Sequence, residues 1–284
     1  MIVSDFDDRY EKVLAKWPAA TAGVDIDGRF GTTHLNVCGA TDAPPILLLP
    51  GGGATSTVWF DNVATLSKSH RVCAVDILGD AGRSVPGSER MRSLADLVEW
   101  VGSLVHYTGS EKIDVLAHSY GAKIALAYAV ANPDRVRTLI LLDPTACFAG
   151  MKFGYLLRAV PLLLAPTPAR QRRLVTWEAD SRALDEDWFT LLELGASTRR
   201  KLVVPPRPSA AQLTTLRAQT LVVLAEQSRV HDVDAVADVV HESIPHAQVV
   251  TVPNSSHHSL PMVPAGRLNR ILDDFLQDQA PLGR

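Results

Sequence analysis

Five short runs of apolar, mostly leucine-rich or β-branched residues recur along the chain: "PPILLLP" at 44–50, "HRVCAVD" at 70–76, "KIDVLAH" at 112–118, "RVRTLILLD" at 135–143 and "QTLVVLAE" at 219–226. Near-continuous apolar runs of this length suit strands covered on both faces, which is the pattern of a parallel sheet. Helix-like stretches separate most of them. "WFDNVATLSK" precedes the second run, "SLADLVEWVGSLVHYTG" the third and "YGAKIALAYAVANP" the fourth, ending at Asn132-Pro133 as helices do ahead of a proline. A sixth run, "AQVVTVP" at 247–253, follows the helix-like "VDAVADVVHES", and "GRLNRILDDFLQ" at 266–277 has the spacing of an amphipathic helix. The alternation predicts a doubly wound α/β core. The Gly-separated segment "GVDIDGRFGTTHLNVCG" at 23–39 predicts an antiparallel hairpin at the sheet edge.

One region interrupts this order. Residues 146–218 lie between two expected core strands and are too long for an ordinary connection, so residues 1–145 and 219–284 are expected to form the core and 146–218 an inserted helical cap. "KFGYLLRAVPLLLAP", "ARQRRLVTWEADSRAL" and "DEDWFTLLELGAS" read as short helices, followed by the loop "VVPPRPSAA". Their Leu, Trp and Phe side chains either cover a pocket or fasten the insertion to the core.

With 28 Lys and Arg against 31 Asp and Glu, a net charge of −3 and no long basic run, composition argues against a nucleic-acid or membrane-surface partner and points to a small molecule. Cys38, Cys73 and Cys147 are odd in number and lack CxxC spacing, so they read as reduced core residues, with neither a disulfide framework nor a zinc site. The first residues lack a signal-peptide layout, and no run of about 18 apolar residues occurs. The expectation is a cytoplasmic protein. The glycine run Gly51-Gly52-Gly53 lacks the lysine and Ser/Thr of a phosphate loop, and no GxGxxG occurs, so no nucleotide, other cofactor or metal is expected.

Within "LAHSYGAKIAL" at 116–126, Ser119 sits where a strand gives way to a helix, flanked by the small residues Ala117 and Gly121. Such a turn pushes the hydroxyl clear of the backbone while the first amides of the helix point at the same space. Alone, the pattern also fits an ordinary turn or helix N-cap. In this order of elements, however, the chain resembles the α/β-hydrolase family over nearly its whole length. "LAKWP", "FGTTH", "DAPPILLL" and "VDILGD" resemble the N-terminal half of small bacterial carboxylesterases of the Bacillus carboxylesterase NP type. The resemblance implies an α/β-hydrolase fold, with Ser119 as nucleophile and the amide of Tyr120 as one oxyanion donor. It also places a catalytic histidine in "VPNSSHHSLP", where His257 takes the position and His258 stands one residue away. Gly52, with Gly53 beside it, occupies the place of the second oxyanion donor, although Pro50 stands where a histidine is usual.

The acid departs from the family pattern. Ser228 in "AEQSRVHD" stands at the usual acid position, and a serine cannot stabilise an imidazolium by charge. Three replacements are available: Asp143 in "LLDPTA", placed first because pancreatic-type lipases carry their acid in a similar stretch, then Glu226 and Asp232. A triad is defined by geometry, so each remains open. Asp76 and Arg83 read as loop anchors, His118 as structural, and His70, His231 and His241 carry no motif. The reading is a serine hydrolase acting on an ester, thioester or related acyl bond of a small molecule. The alternative is a fold relative that has given up hydrolysis, as a cofactor-free lyase or cyclase, an acyltransferase or a ligand-binding protein.

Overall fold

A computed structural model describes residues 2–18, 20–180, 184–198 and 202–278. The expected boundaries therefore include a few positions outside the described residues: 1, 19 and 279–284 of the core, and 181–183 and 199–201 of the insertion. The strands are β1 (Ala22–Gly28), β2 (Gly31–Cys38), β3 (Pro45–Leu49), β4 (Arg71–Val75), β5 (Val85–Pro86), β6 (Ile113–His118), β7 (Val136–Leu142), β8 (Gln219–Ala225) and β9 (Gln248–Val252). They form one nine-stranded sheet in the order β1-β2-β4-β3-β6-β7-β8-β9, with β5 on β2. From β4 to β9 every pairing is parallel. The pairings of β2 with β1, β4 and β5 are antiparallel, so the hairpin lies at the edge, as its alternating sequence predicts.

Ten helices flank the sheet among the described residues: α1 (Ile2–Leu14), α2 (Val63–Leu66), α3 (Leu94–Tyr107), α4 (Ser119–Ala131), α5 (Phe153–Leu164), α6 (Pro168–Ala179), α7 (Glu186–Gly195), α8 (Ala210–Leu213), α9 (Val233–Ser243) and α10 (Ala265–Asp278). Apolar side chains on opposite faces of each central strand feed two cores. Leu47 and Leu49 of β3 face a cluster that includes Trp100, Leu104, Ile124 and Val236, and Ile46 and Leu48 face one that includes Tyr10, Trp59, Leu268 and Leu272. The near-continuous apolar runs follow from this double burial. No helix among the described residues is long and apolar enough to cross a membrane.

One local expectation is revised, and one helix was not foreseen. "WFDNVATLSK" does not form one helix: a 3-10 turn at Ser56–Asp61 hands over at Asn62 to the single turn α2. The N-terminal stretch forms α1, whose Tyr10 and Val13 are fully buried. Of the four helices between β7 and β8, α7 buries Trp188, Phe189, Leu191 and Leu192 and thereby fastens to the core, whereas α5 exposes Phe153, Leu157, Val160, Leu163 and Leu164.

The chain lays β4 on one side of β3 and β6 on the other, so the strand order reverses at β3, and the C-terminal ends of strands at such a point are where open α/β sheets bind ligands. Leu49 at the end of β3 pairs with Ala117 of β6, which puts the Gly51-Gly52-Gly53 loop beside Ser119. Ser119 has φ +54°, a left-handed conformation that a side chain rarely adopts. It is held there by close packing. A Cβ added at Gly121 would lie 2.4 Å from the carbonyl oxygens of both Leu49 and Pro50, so only glycine lets α4 approach the end of β3.

The Gly121→Ala variant is therefore expected to lose about 1–3 kcal/mol of stability through overpacking. Urea unfolding measures this directly, and a variant as stable as the parent would mean that the elbow yields at no cost.

Candidate active site

Ser119 opens α4, Asp143 follows the last residue of β7, and His257 lies in the loop after β9. All three leave the C-terminal edge of the parallel sheet, and neighbouring strands bring them together. Ser119 Oγ donates to His257 Nε2 at 2.8 Å, and His257 Nδ1–H donates to Asp143 Oδ2 at 2.6 Å. Asp143 is fully buried and His257 nearly so, while the edge of Ser119 reaches the surface. Thr145 Oγ1 is a second neighbour of Ser119 Oγ, at 3.1 Å.

Asp143 is the carboxylate that meets the histidine. Glu226 is exposed and accepts from Asn254 N, and Asp232 is exposed and caps α9 through Ala235 N. Ser228, at the usual acid position, donates its hydroxyl to Asp143 Oδ2 at 2.8 Å. His231 Nε2 reaches Asp143 Oδ1 at 3.1 Å and Ala225 N donates to the same oxygen at 3.0 Å. A carboxylate offers about four acceptor sites, and here each has a donor. Burial alone would push this carboxyl up, but the charge and hydrogen bond of His231, together with those of His257, hold it well below the usual carboxylate range.

The histidine is held from its backbone as well. His118 Nε2–H donates to the His257 carbonyl at 2.9 Å, with the two ring centres 4.8 Å apart. Burial above all holds His118 well below its ordinary value, so it serves as a neutral donor. On the other side, Glu178 of α6 accepts from His257 N at 2.7 Å and from His258 N and Nδ1, both at 3.0 Å. The Ser256 hydroxyl also donates to it at 3.3 Å. Burial pushes the Glu178 carboxyl up, but hydrogen bonds and charge from His258 and charge from His257 outweigh this and bring it down to about 2.

Gly52 lies against the Tyr120 side chain, so a Cβ there would sit 3.5 Å from Tyr120 Cβ. The first amides of α4 have no partner within their own helix, as at any helix start. The Gly53 amide donates to Asp80 Oδ2 at 2.8 Å. Asp76 anchors the loops near the site, accepting from Ser56 N and Oγ, Tyr10 OH and Arg83 N, and Arg83 lies over the Tyr10 ring while pairing with Glu11. Sequence reasoning passed over His231 and Glu178. The departure at Ser228 marked the region of the first, whereas nothing local in α6 marks a carboxylate that meets a loop 79 residues further on.

A model of the alpha/beta hydrolase family matches residues 46–270. Over 143 residues the chain is 33% identical to Carboxylesterase YbfK of Bacillus subtilis (strain 168), a match covering 50% of this chain and 48% of that protein. The chain thus spans about half the length of the curated relatives it matches first. Among solved structures, carboxylesterase CesB (YbfK) from Bacillus subtilis superposes with a TM-score of 0.89 at 24% identity, covering 96% of this chain and 97% of that one. Naproxen esterase (carboxylesterase NP) from the same organism gives 0.85 at 24% identity, covering 95% and 96%. At this identity the superpositions speak for the fold.

A carboxyl whose value is lower in the folded chain stabilises the fold above its unfolded value near 4.5, and that contribution is lost as pH falls toward 2. For Glu178 the displacement corresponds to about 3 kcal/mol. Urea unfolding between pH 5 and pH 2.5 should therefore show a steeper loss of stability for the parent than for Glu178→Gln. Equal slopes would remove Glu178 from the acid sensitivity of the fold.

Proposed function

The chain belongs to the alpha/beta hydrolase family, and from that premise we propose that it is a serine hydrolase of the carboxylesterase type. It cleaves an ester, thioester or related acyl bond of a small molecule through an acyl-enzyme on Ser119. The single observation that carries this reading is the unbroken chain of hydrogen bonds from Ser119 through His257 to the buried Asp143. The relatives named as carboxylesterases support the choice of acyl chemistry.

In the proposed reaction, His257 Nε2 takes the Ser119 proton as Oγ attacks the acyl carbon. The ionised Asp143 stabilises the imidazolium through Nδ1–H without itself taking the proton. The tetrahedral oxyanion lies between the amides of Gly52 and Tyr120, where fixed donors in a water-poor crevice stabilise developing charge more than bulk water does. His257 then gives its proton to the leaving alcohol or thiol. A water molecule, deprotonated by His257, attacks the acyl carbon; His257 then passes that proton to Ser119 Oγ as the acyl–oxygen bond breaks, which releases the carboxylic acid and restores both groups.

The helices of residues 146–218 act in this reading as a cap over the crevice, attached by Glu178 to the histidine loop and by Tyr120 OH to the Val203 carbonyl at 2.7 Å. Three free, buried cysteines accord with work in the reducing cytoplasm.

A fluorophosphonate at neutral pH should add once to the parent protein, read by intact mass, and not to Ser119→Ala. A folded parent that stays unmodified would overturn the proposal. Asp143→Asn should keep the fold and lower kcat for a p-nitrophenyl ester by about 10⁴-fold, the loss produced when a triad acid is neutralised. A variant within tenfold of the parent would remove Asp143 from the role of acid.

A further inference from the structure

Asp143 binds a second histidine. His231 is fully buried, and its Nε2 lies 3.1 Å from Asp143 Oδ1, on the carboxylate oxygen that His257 does not use. Its other ring nitrogen, Nδ1, is buried and has no hydrogen-bond partner among the described residues. Among the described residues the ring thus makes one polar contact, and that contact is with the site acid. For it to be a hydrogen bond the proton sits on Nε2, because a carboxylate only accepts.

The backbone holds the ring in place. Met151 and His231 form an isolated antiparallel bridge, and Lys152 N donates to the Val230 carbonyl at 2.7 Å. The residue after β7 that carries the carboxylate is itself in a left-handed conformation, with φ +40°. A side chain launched from strained backbone needs outside contacts to fix its orientation. The two carboxylate oxygens divide that task. Oδ2 takes Ser228 Oγ and His257 Nδ1, and Oδ1 takes Ala225 N and His231 Nε2. Without the donor on Oδ1 the carboxylate could rotate about its terminal torsion, which is soft at an sp³–sp² bond. Burial would also favour the neutral acid, which cannot stabilise an imidazolium by charge.

We propose that His231 is a positioning residue of the Ser119 site, whose Nε2–H holds the Asp143 carboxylate so that Oδ2 stays aimed at His257 Nδ1. The inference rests on the reading of Ser119, His257 and Asp143 given under Proposed function. It also accounts for Ser228. The loop after β8 supplies no acid; Ser228 and His231 supply two donors to an acid that arrives from β7.

The test compares His231→Leu, His231→Asn and His231→Gln with the parent, using p-nitrophenyl butyrate and thermal unfolding. Glutamine carries an N–H close to the place of Nε2, whereas the asparagine amide is a methylene too short to reach Oδ1. Loss of a hydrogen bond to a charged group should lower kcat about 10- to 100-fold in the Asn and Leu variants, with KM within about twofold of the parent. Glutamine should restore kcat to within about threefold. If Leu does not fold, the Asn and Gln pair decides alone. Three variants with kcat near that of the parent, or folded Asn and Gln variants with equal losses, would overturn the inference. A folded parent with no esterase activity would overturn the reading of the site itself, and this inference with it.

Discussion

The Asp143 carboxylate draws its four donors from β8, from the loop after β8 and from the loop after β9, and the C-terminal rim of the sheet is arranged to satisfy it. An ionised carboxylate in a fully buried position is strongly disfavoured unless it is paired and hydrogen-bonded. Three of the four donors, Ser228, His231 and His257, also fix loops. The loops after β8 and β9, together with the one after β7 that carries Asp143, thereby acquire defined positions at one end of the molecule. The same arrangement keeps the carboxylate ionised, which is the state that can stabilise a protonated histidine.

Around that charge the site is built from backbone constraints more than from side-chain abundance. Ser119 and Asp143 both have positive φ, and each follows directly from a buried parallel strand. Left-handed backbone at a non-glycine residue costs about 1–2 kcal/mol, an amount that a rigid, doubly covered sheet can hold. Gly121 supplies the close approach of α4 to β3, and the crossing order of β4, β3 and β6 sets the loops after β3 and β6 side by side. The functional side chains are few, and the scaffold determines where they meet.

Much of this was legible in the sequence because double burial leaves a direct trace. β3, β4, β6, β7 and β8 each read as near-continuous apolar runs, and the small residues around Ser119 mark a sharp turn. His257 and Gly52 came from the family resemblance and the order of elements. Asp143 was one of three carboxylates that local pattern could not separate; geometry brings it alone to the histidine, since Glu226 and Asp232 are engaged elsewhere at the surface. Nothing local marks that Asp80, distant in sequence, takes the Gly53 amide. Helix α1 and the break at Asn62 were missed because neither carries an apolar run or a proline or glycine signal. Glu178 and His231 act through contacts spanning many residues, and such contacts leave no periodic mark.

Glu178 has a consequence for how this protein could diversify. In the proposed reading the helices between β7 and β8 form a cap, and exchanging them while keeping the sheet and its loops would be a route to a different substrate range. Here the sixth helix also carries the carboxylate that receives the two amides of the histidine loop. A helix grafted from a relative would need an acceptor at the same height, or the loop would be left with unpaired buried donors. If the helices of residues 146–218 act as the proposed cap, cap and site share a residue, and recombination would have to respect a boundary drawn inside α6 instead of at its ends.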